Sequence, residues 1–250
     1  GSVDLIVGHS VSDILPQMST RAEVFSPAQN KAVWLSAWLC GHVSTDDVLS
    51  ALLDLGGPHT FHDEPVTELL RDIREATNLD DDGPAVRLIL SGPGQPPELP
   101  AGSASAQALA ESGSAAIAIR GYAEITHVLI PHYTPEGTTW RWCEEHSRLP
   151  EPAWLSPGEA DALLSQATEE AAVLIRATGG TRADLPNPRL TVGSLADFYD
   201  TPGLPMSTTP RAAKLFARAD RVAAVIETVV DKLGDHSFDP QLFSLWRHIR

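Results

Sequence analysis

The sequence predicts an α+β protein: a central antiparallel sheet of about four strands, flanked by N-terminal helices and a C-terminal helical bundle. Three observations predict it. Residues 114–143 hold the densest β-signal in the chain, with apolar residues alternating at the two-residue period of a strand. The segments before and after that run read at helical spacing. No β-α-β alternation recurs, so the strands come as a block with helices as their cover. The expected organisation is an N-terminal helical region (3–83), the sheet (84–150) and a C-terminal helical region (156–250), sharing one compact unit.

The strands are justified residue by residue. Ile117 and Ile119 alternate with Ala116, Ala118 and Arg120, and Gly121-Tyr122 supplies a turn. Ile125, His127 and Leu129 then point to one side, and Thr126, Val128 and Ile130 to the other. Pro131 has no N–H for the ladder and is expected to end pairing. Thr134-Pro135-Glu136-Gly137 is a turn. Thr138, Trp140 and Trp142 share one face of the next strand, with Arg141 and Cys143 opposite. Val86–Leu90 is the fourth candidate. Both faces of the middle strand are apolar, which calls for helices on both sides.

Residues 3–26 are mixed, with a possible short strand at Asp4–Val7, and Gly1-Ser2 reads as the remnant of an expression tag. Ser26-Pro27 opens a helix that carries Ala32, Leu35, Leu39 and Val43 on one stripe. Ser44-Thr45-Asp46-Asp47 starts a second, with acids where the helix dipole favours them, and Gly56-Gly57 stops it. A third is expected over Asp63–Thr77, with Val66, Leu69, Leu70 and Ile73 inward. Asn78–Pro84 is an acidic turn, and 91–103 a Pro/Gly-rich loop. A short helix over Ala104–Glu111 precedes the meander. Ser156-Pro157-Gly158-Glu159 is a capping-box start. After an irregular 181–192 comes a short helix near Ser194–Tyr199. Thr209-Pro210 opens a helix running to about Leu233, and a last helix begins near Asp239.

Composition narrows the function. The chain has 250 residues, 42% hydrophobic, ample for a buried core. Its net charge of −15 repels nucleic acid and anionic membranes and favours a basic partner or none. No apolar run approaches the ~20 residues that cross a bilayer. Cys40 and Cys143 read as reduced thiols, and the protein as cytoplasmic. The GxxxxGK[ST], GxGxxG and GxSxG motifs are all missing, which argues against P-loop, dinucleotide and serine-hydrolase chemistry.

Three constellations carry possible function. Arg211, Lys214, Arg218 and Arg221 make one basic stripe at the start of a helix, where cations oppose the dipole. With Ser207, Thr208 and free backbone N–H groups, Arg211, Lys214 and Arg218 form a candidate anion site. The plainer reading is that the chain's own carboxylates pair with the stripe. His59, His62 and Asp63 have metal-ligand spacing but stand beside Pro58 without a third motif ligand, so no metal is expected there. Trp140, Trp142, Tyr122 and Tyr133, with Trp154 nearby, are a candidate interaction surface. Cys143 beside His146 reads as core rather than as a nucleophile. No catalytic set and no cofactor are expected. The sequence therefore points to a non-enzymatic protein-binding role, as an adaptor or chaperone-like partner or by self-association. The alternative is a small-anion or phosphometabolite binder, possibly an enzyme, using the 207–221 region.

Overall fold

The computed structural model describes residues 27–90, 98–112, 115–150, 155–177, 203–219 and 222. The expectations for 3–26, Trp154, 181–199 and the last helix lie outside those residues.

Helix α1 (Pro27–Leu39) and helix α2 (Thr45–Gly56) come first. Ser44 caps α2 in a capping box: its side chain accepts from the Asp47 N–H, and Asp47 accepts from the Ser44 N–H. Gly57, at φ 70°, ends it. Strands β1 (His59–Phe61) and β2 (Glu64–Pro65) form a tight hairpin, and α3 (Val66–Ala76) follows. Then come β3 (Val86–Leu90), α4 (Ala104–Ser112), β4 (Ala115–Arg120), β5 (Thr126–Thr134), β6 (Gly137–Glu145) and α5 (Pro157–Ala177). Residues 210–219 form α6.

The protein is α+β, as the sequence predicts, and the strands at 86–90, 117–120, 126–130 and 138–143 form one antiparallel run. Three expectations need correction. The sheet has six strands in the order β2-β1-β6-β5-β4-β3, and it is mixed, because β1 runs parallel to β6 with His59 opposite Thr138. The segment assigned to a loop and an early helix start is the β1–β2 hairpin, turned by His62 and Asp63 at φ 50° and 60°. A strand of two or three residues shows no readable period, so long-range pairing alone reveals it. Helix α3 therefore starts at Val66 rather than Asp63. Pro131 also sits inside β5, opposite Trp140. Pairing with β4 stops at Leu129, so Pro131 needs no N–H on that side.

Both faces of β4 and of the first half of β5 are dry. On one face Ile117, Ile119, Leu129 and Trp140 pack against Leu35, Trp38, Leu52, Leu69 and Ile73 of α1, α2 and α3. On the other, Ala116, Ala118, Val128 and Ile130 meet Leu99, Ala108 and Leu109. The alanines on both sides let α4 lie close. Each fully buried Ile or Leu contributes about 1.5–3 kcal/mol relative to exposure.

At the C-terminal side, Ser156 and Glu159 form the expected capping box on α5. Thr209 caps α6 through the Ala212 N–H. Arg218 of α6 reaches Asp161 at 3.2 Å and the Ser165 hydroxyl on α5. The Trp34 indole N–H donates to the Gly203 carbonyl at 3.1 Å, tying the approach to α6 onto α1. The described part of the expected C-terminal bundle is this pair; the rest lies outside the described residues. Among the described residues no helix is long and apolar enough to cross a membrane.

The β4–β5 turn holds two non-glycine residues in the left-handed region, Ala123 at φ 52° and Glu124 at φ 62°. Each costs about 1–2 kcal/mol. Ala123→Gly is expected to raise stability by about 0.5–1 kcal/mol after the entropy lost to glycine is counted. Denaturant midpoints measure it, and a destabilised variant contradicts the turn geometry.

Candidate functional site

A groove of about 540 Å³ opens where β3, β4 and β5 end. One wall is the acidic loop 78–84, another the turn 121–125, and the third the segment 148–150. Arg120 builds the first wall. Its guanidinium donates to the carbonyls of Asn78 (3.0 Å), Asp81 (2.8 Å), Asp82 (3.1 Å) and Gly83 (3.3 Å). The Asn78 N–H returns a bond to the Arg120 carbonyl at 2.8 Å. A cation thus neutralises a ring of backbone oxygens, and the carboxylates of Asp80, Asp81 and Asp82 are left exposed.

The second wall closes through Gly121 N–H to Ile125 O at 2.8 Å. A side chain on Gly121 would lie 2.7 Å from His127 Nε2, so glycine is required there. Arg148 spans the opening, 3.9 Å from Asp81 and 3.7 Å from Glu124. Both pairs are solvent-exposed and contribute little. Beside the floor, Arg87 holds Glu98 at 3.0 Å and the Pro150 carbonyl. Tyr122 and Leu79, 52% and 49% exposed, belong to the turn and the loop that bound the groove but do not line it.

A second polar cluster lies at the opposite edge of the sheet. Lys31 on α1 is fully buried. Its Nζ donates to the Tyr133 hydroxyl at 3.2 Å and lies 4.3 Å from the Tyr133 ring centre and 5.4 Å from that of Trp140. Burial lowers its pKa from 10.5 to about 7, and no carboxylate among the described residues offsets that. His59 Nδ1 lies 2.7 Å from the Gly57 carbonyl. A carbonyl only accepts, so Nδ1 carries the proton and Nε2 presents a lone pair. That Nε2 and the Trp140 indole N–H are both buried without a hydrogen-bond partner among the described residues. Burial, then the charge of Lys31, lowers the His59 pKa to about 4, against the opposing hydrogen bond to Gly57. Burial also raises the Tyr133 phenol above its ordinary value.

A family model described as "Rv1486c-like protein, N-terminal domain" matches residues 28–154, more than half of the chain. The chain belongs to the Rv1486c-like family. A second model, "Rv1486c-like protein, C-terminal domain", matches residues 158–250. No curated protein and no solved structure matches the chain. All six strands, the groove and the Lys31 cluster of this Rv1486c-like protein fall within the N-terminal match, and α5 and α6 within the C-terminal one.

The residues singled out from sequence scatter in the Rv1486c-like fold. Of the interaction-surface set, Trp140 is core at 6% exposure, and Trp142 is half-buried with its indole N–H on His127 Nδ1 at 3.0 Å. Neither offers a free anchor, because the face that bears them is roofed by α1–α3. Tyr133 is half-buried against Lys31, and Tyr122 alone stands in solvent. Of the anion set, Arg218 is taken by Asp161 and Ser165, and the Arg211 guanidinium lies over Gly158 at the start of α5. Ser207 and Lys214 are exposed, and the Thr208 N–H is bonded to the Pro205 carbonyl. Arg218 thus ties α6 to α5, while Arg221 lies outside the described residues. His59 faces the core while His62 and Asp63 are exposed on the hairpin turn, so the three do not converge. Among the described residues no three His, Cys, Asp or Glu side chains are grouped to hold a metal. Burial pushes the Cys143 thiol up, away from a reactive thiolate.

Sequence reading missed Lys31 and Arg120. Lys31 carried a signal: it sits on the apolar stripe of α1, one residue before Ala32 and four before Leu35. Arg120 carried none, because its partners are backbone carbonyls.

Two measurements check these arrangements. Arg120→Lys keeps the charge but not the fork, and is expected to cost at least about 2 kcal/mol and to open the loop to proteolysis. Unchanged stability contradicts the clamp. From pH 7 to 10 the unfolded chain holds a proton on Lys31 that the folded chain has released. Stability is therefore expected to rise with pH across that window, by up to about 5 kcal/mol, with the penalty complete below pH 7. His59 adds a further loss as pH falls from 6.5 toward 4. Lys31→Met is expected to be more stable than the parent at pH 7 and to lose the rise; parallel pH profiles contradict the buried amine.

Proposed function

We propose that this is a non-enzymatic cytoplasmic protein that works by binding another protein, as an adaptor or chaperone-like partner, through the groove at the 78–84 loop. The observation that carries this is a pre-shaped groove of about 540 Å³ whose bounding loop and turn also carry the exposed side chains Leu79 and Tyr122 just outside its lining. Aromatic and aliphatic side chains beside a concavity are what a partner's anchor needs. The backbone of the loop is already fixed by Arg120, so binding orders little and loses little entropy.

The partner chemistry follows from charge. Asp80, Asp81, Asp82 and Glu124 surround the opening with exposed carboxylates, on a chain of net charge −15. A segment with basic side chains around one apolar anchor is the complement, displacing Arg148 from its weak pairs. Two unpaired cysteines support a reducing compartment. At the C-terminal side, Val173 on α5 and Met206 in the turn before α6, 59% and 80% exposed, add a surface for self-association.

The test compares wild-type chain with a Leu79→Ser/Tyr122→Ser variant as bait in native lysate, with binding re-measured on the purified partner across a salt series. The partner captured by wild type is expected to bind the variant at least about tenfold more weakly, and wild type more weakly as salt rises. Equal capture by both baits, or a monomeric chain that captures nothing, contradicts the proposal. So does a clear thermal stabilisation by inorganic phosphate that Arg211→Ala abolishes, which would favour the small-anion reading.

A further inference from the structure

We propose that the outer edge of β3 is an interface for a second copy of this chain, which adds its own β3 antiparallel and joins the two sheets across a two-fold axis at Leu88. The inference goes beyond the groove and does not use Val173 or Met206. It starts from a difference between the two edges of the sheet. At one edge β2 is two exposed residues, Glu64 and Pro65. A strand that short, with an acid and a proline, gives an incoming strand little to pair with. At the other edge β3 is five residues, VRLIL, with neither lysine nor proline.

The register with β4 decides which backbone groups of β3 are open. Val86 lies opposite Ile119, Arg87 opposite Ala118 and Ile89 opposite Ala116. One step before the strand, the Arg120 N–H donates to the Ala85 carbonyl at 2.9 Å. Antiparallel ladders alternate bonded and non-bonded pairs. Arg87 and Ile89 therefore bond to β4, and the N–H and C=O groups of Val86, Leu88 and Leu90 point outward. Those outward groups have no hydrogen-bond partner among the described residues. The Val86 and Leu88 side chains are half-buried at the rim of the cluster that holds Ile117 and Ile119.

A second copy fits this edge because β3 is complementary to itself. Turned antiparallel about Leu88, it sets Leu88 beside Leu88 of the second copy and Val86 beside Leu90 of the second copy. Every outward group is then bonded, and one face stays apolar across the join. Arg87 falls opposite Ile89 of the second copy, on the other face, and is already held by Glu98 at 3.0 Å. No like charges meet. Charge also selects the antiparallel sense, since the acidic loop 78–84 stands at the Val86 end of the strand. A parallel join sets the two loops side by side. The antiparallel join parts them by at least the length of the strand, about 17 Å, against a Debye length of ~8 Å. The residues that follow β3 in sequence, 91–97, include Pro93, Pro96 and Pro97, which have no N–H for a ladder and make a poor strand to fold back onto it.

The experiment is sedimentation equilibrium of the full chain, with amide exchange followed in dilute and concentrated samples. One short ladder is a small interface, so a monomer–dimer equilibrium with a dissociation constant of about 1–100 µM is expected. The Val86, Leu88 and Leu90 amides are expected to exchange severalfold more slowly in the concentrated sample, while those of Arg87 and Ile89 stay protected in both. Leu90→Pro removes one outward N–H and no bond to β4, and is expected to weaken the dimer at least about tenfold with the circular dichroism unchanged. Val173→Ser/Met206→Ser is expected to leave the dimer intact. Should Leu90→Pro fail to fold, the concentration dependence of wild-type exchange decides alone. A chain that is monomeric throughout overturns the proposal. So does a dimer in which the three outward amides exchange as in dilute solution. Protection of those amides at every concentration also overturns it, and assigns the edge to a segment of the same chain outside the described residues. Partner capture by Leu79→Ser/Tyr122→Ser is a separate readout, so the edge and the groove can fail independently.

Discussion

Strand β5 has no wet side over its first half. Thr126 through Pro131 are buried without interruption, between β4 and β6 in the plane and between two helical layers above and below. In a strand the side chains alternate, so such a run forces cover on both faces. The N-terminal helices supply one cover with bulky Leu, Ile and Trp, and α4 supplies the other with alanine. The groove follows from this arrangement. The covers protect the middle of the sheet, and at the β4–β5 turn loops rather than helices form the walls.

Arg120 and Lys31 show how differently a charge can be accommodated. Arg120 spreads its guanidinium over four carbonyl oxygens and stays partly in water, so its charge is solvated by backbone instead of solvent. Such charge-assisted bonds contribute about 1.5–3 kcal/mol each before non-additivity is counted. Lys31 has one hydroxyl and two aromatic faces. Cation–π contacts of about 2 kcal/mol do not offset full burial of an ammonium, and the group gives up its proton instead. Arg120 therefore behaves as a structural clamp, whereas Lys31 is a reservoir of free energy that depends on pH. Groups of the second kind concentrate at functional sites.

How much of this was legible in the sequence depended on the range of the interaction. The meander, the strand at 86–90, the helix start at Ser44 and the capping box at Ser156 are local patterns, and they read correctly. The parallel joining of His59–Phe61 to β6 is a contact across some eighty residues with no periodic trace. The aromatic pattern identified Trp140 and Trp142 as a pair on one face but not the helices that roof that face. In the basic stripe at Arg211–Arg218, the pairing of Arg218 was not legible because its partner, Asp161, lies on another helix. Spacing locates a side chain on its own element; it is blind to what the facing element brings.

Native-state hydrogen exchange tests most directly whether the doubly covered sheet governs the rest. The amides of β4 and β5 from Ile117 to Ile130 are expected to exchange only through global unfolding, with a single opening free energy equal to that from denaturant melts, while loop 78–84 opens at lower cost. If β5 amides exchange as readily as the loop, or open in a unit separate from α1–α3, the sheet is not the shared core and this account of fold and groove is contradicted.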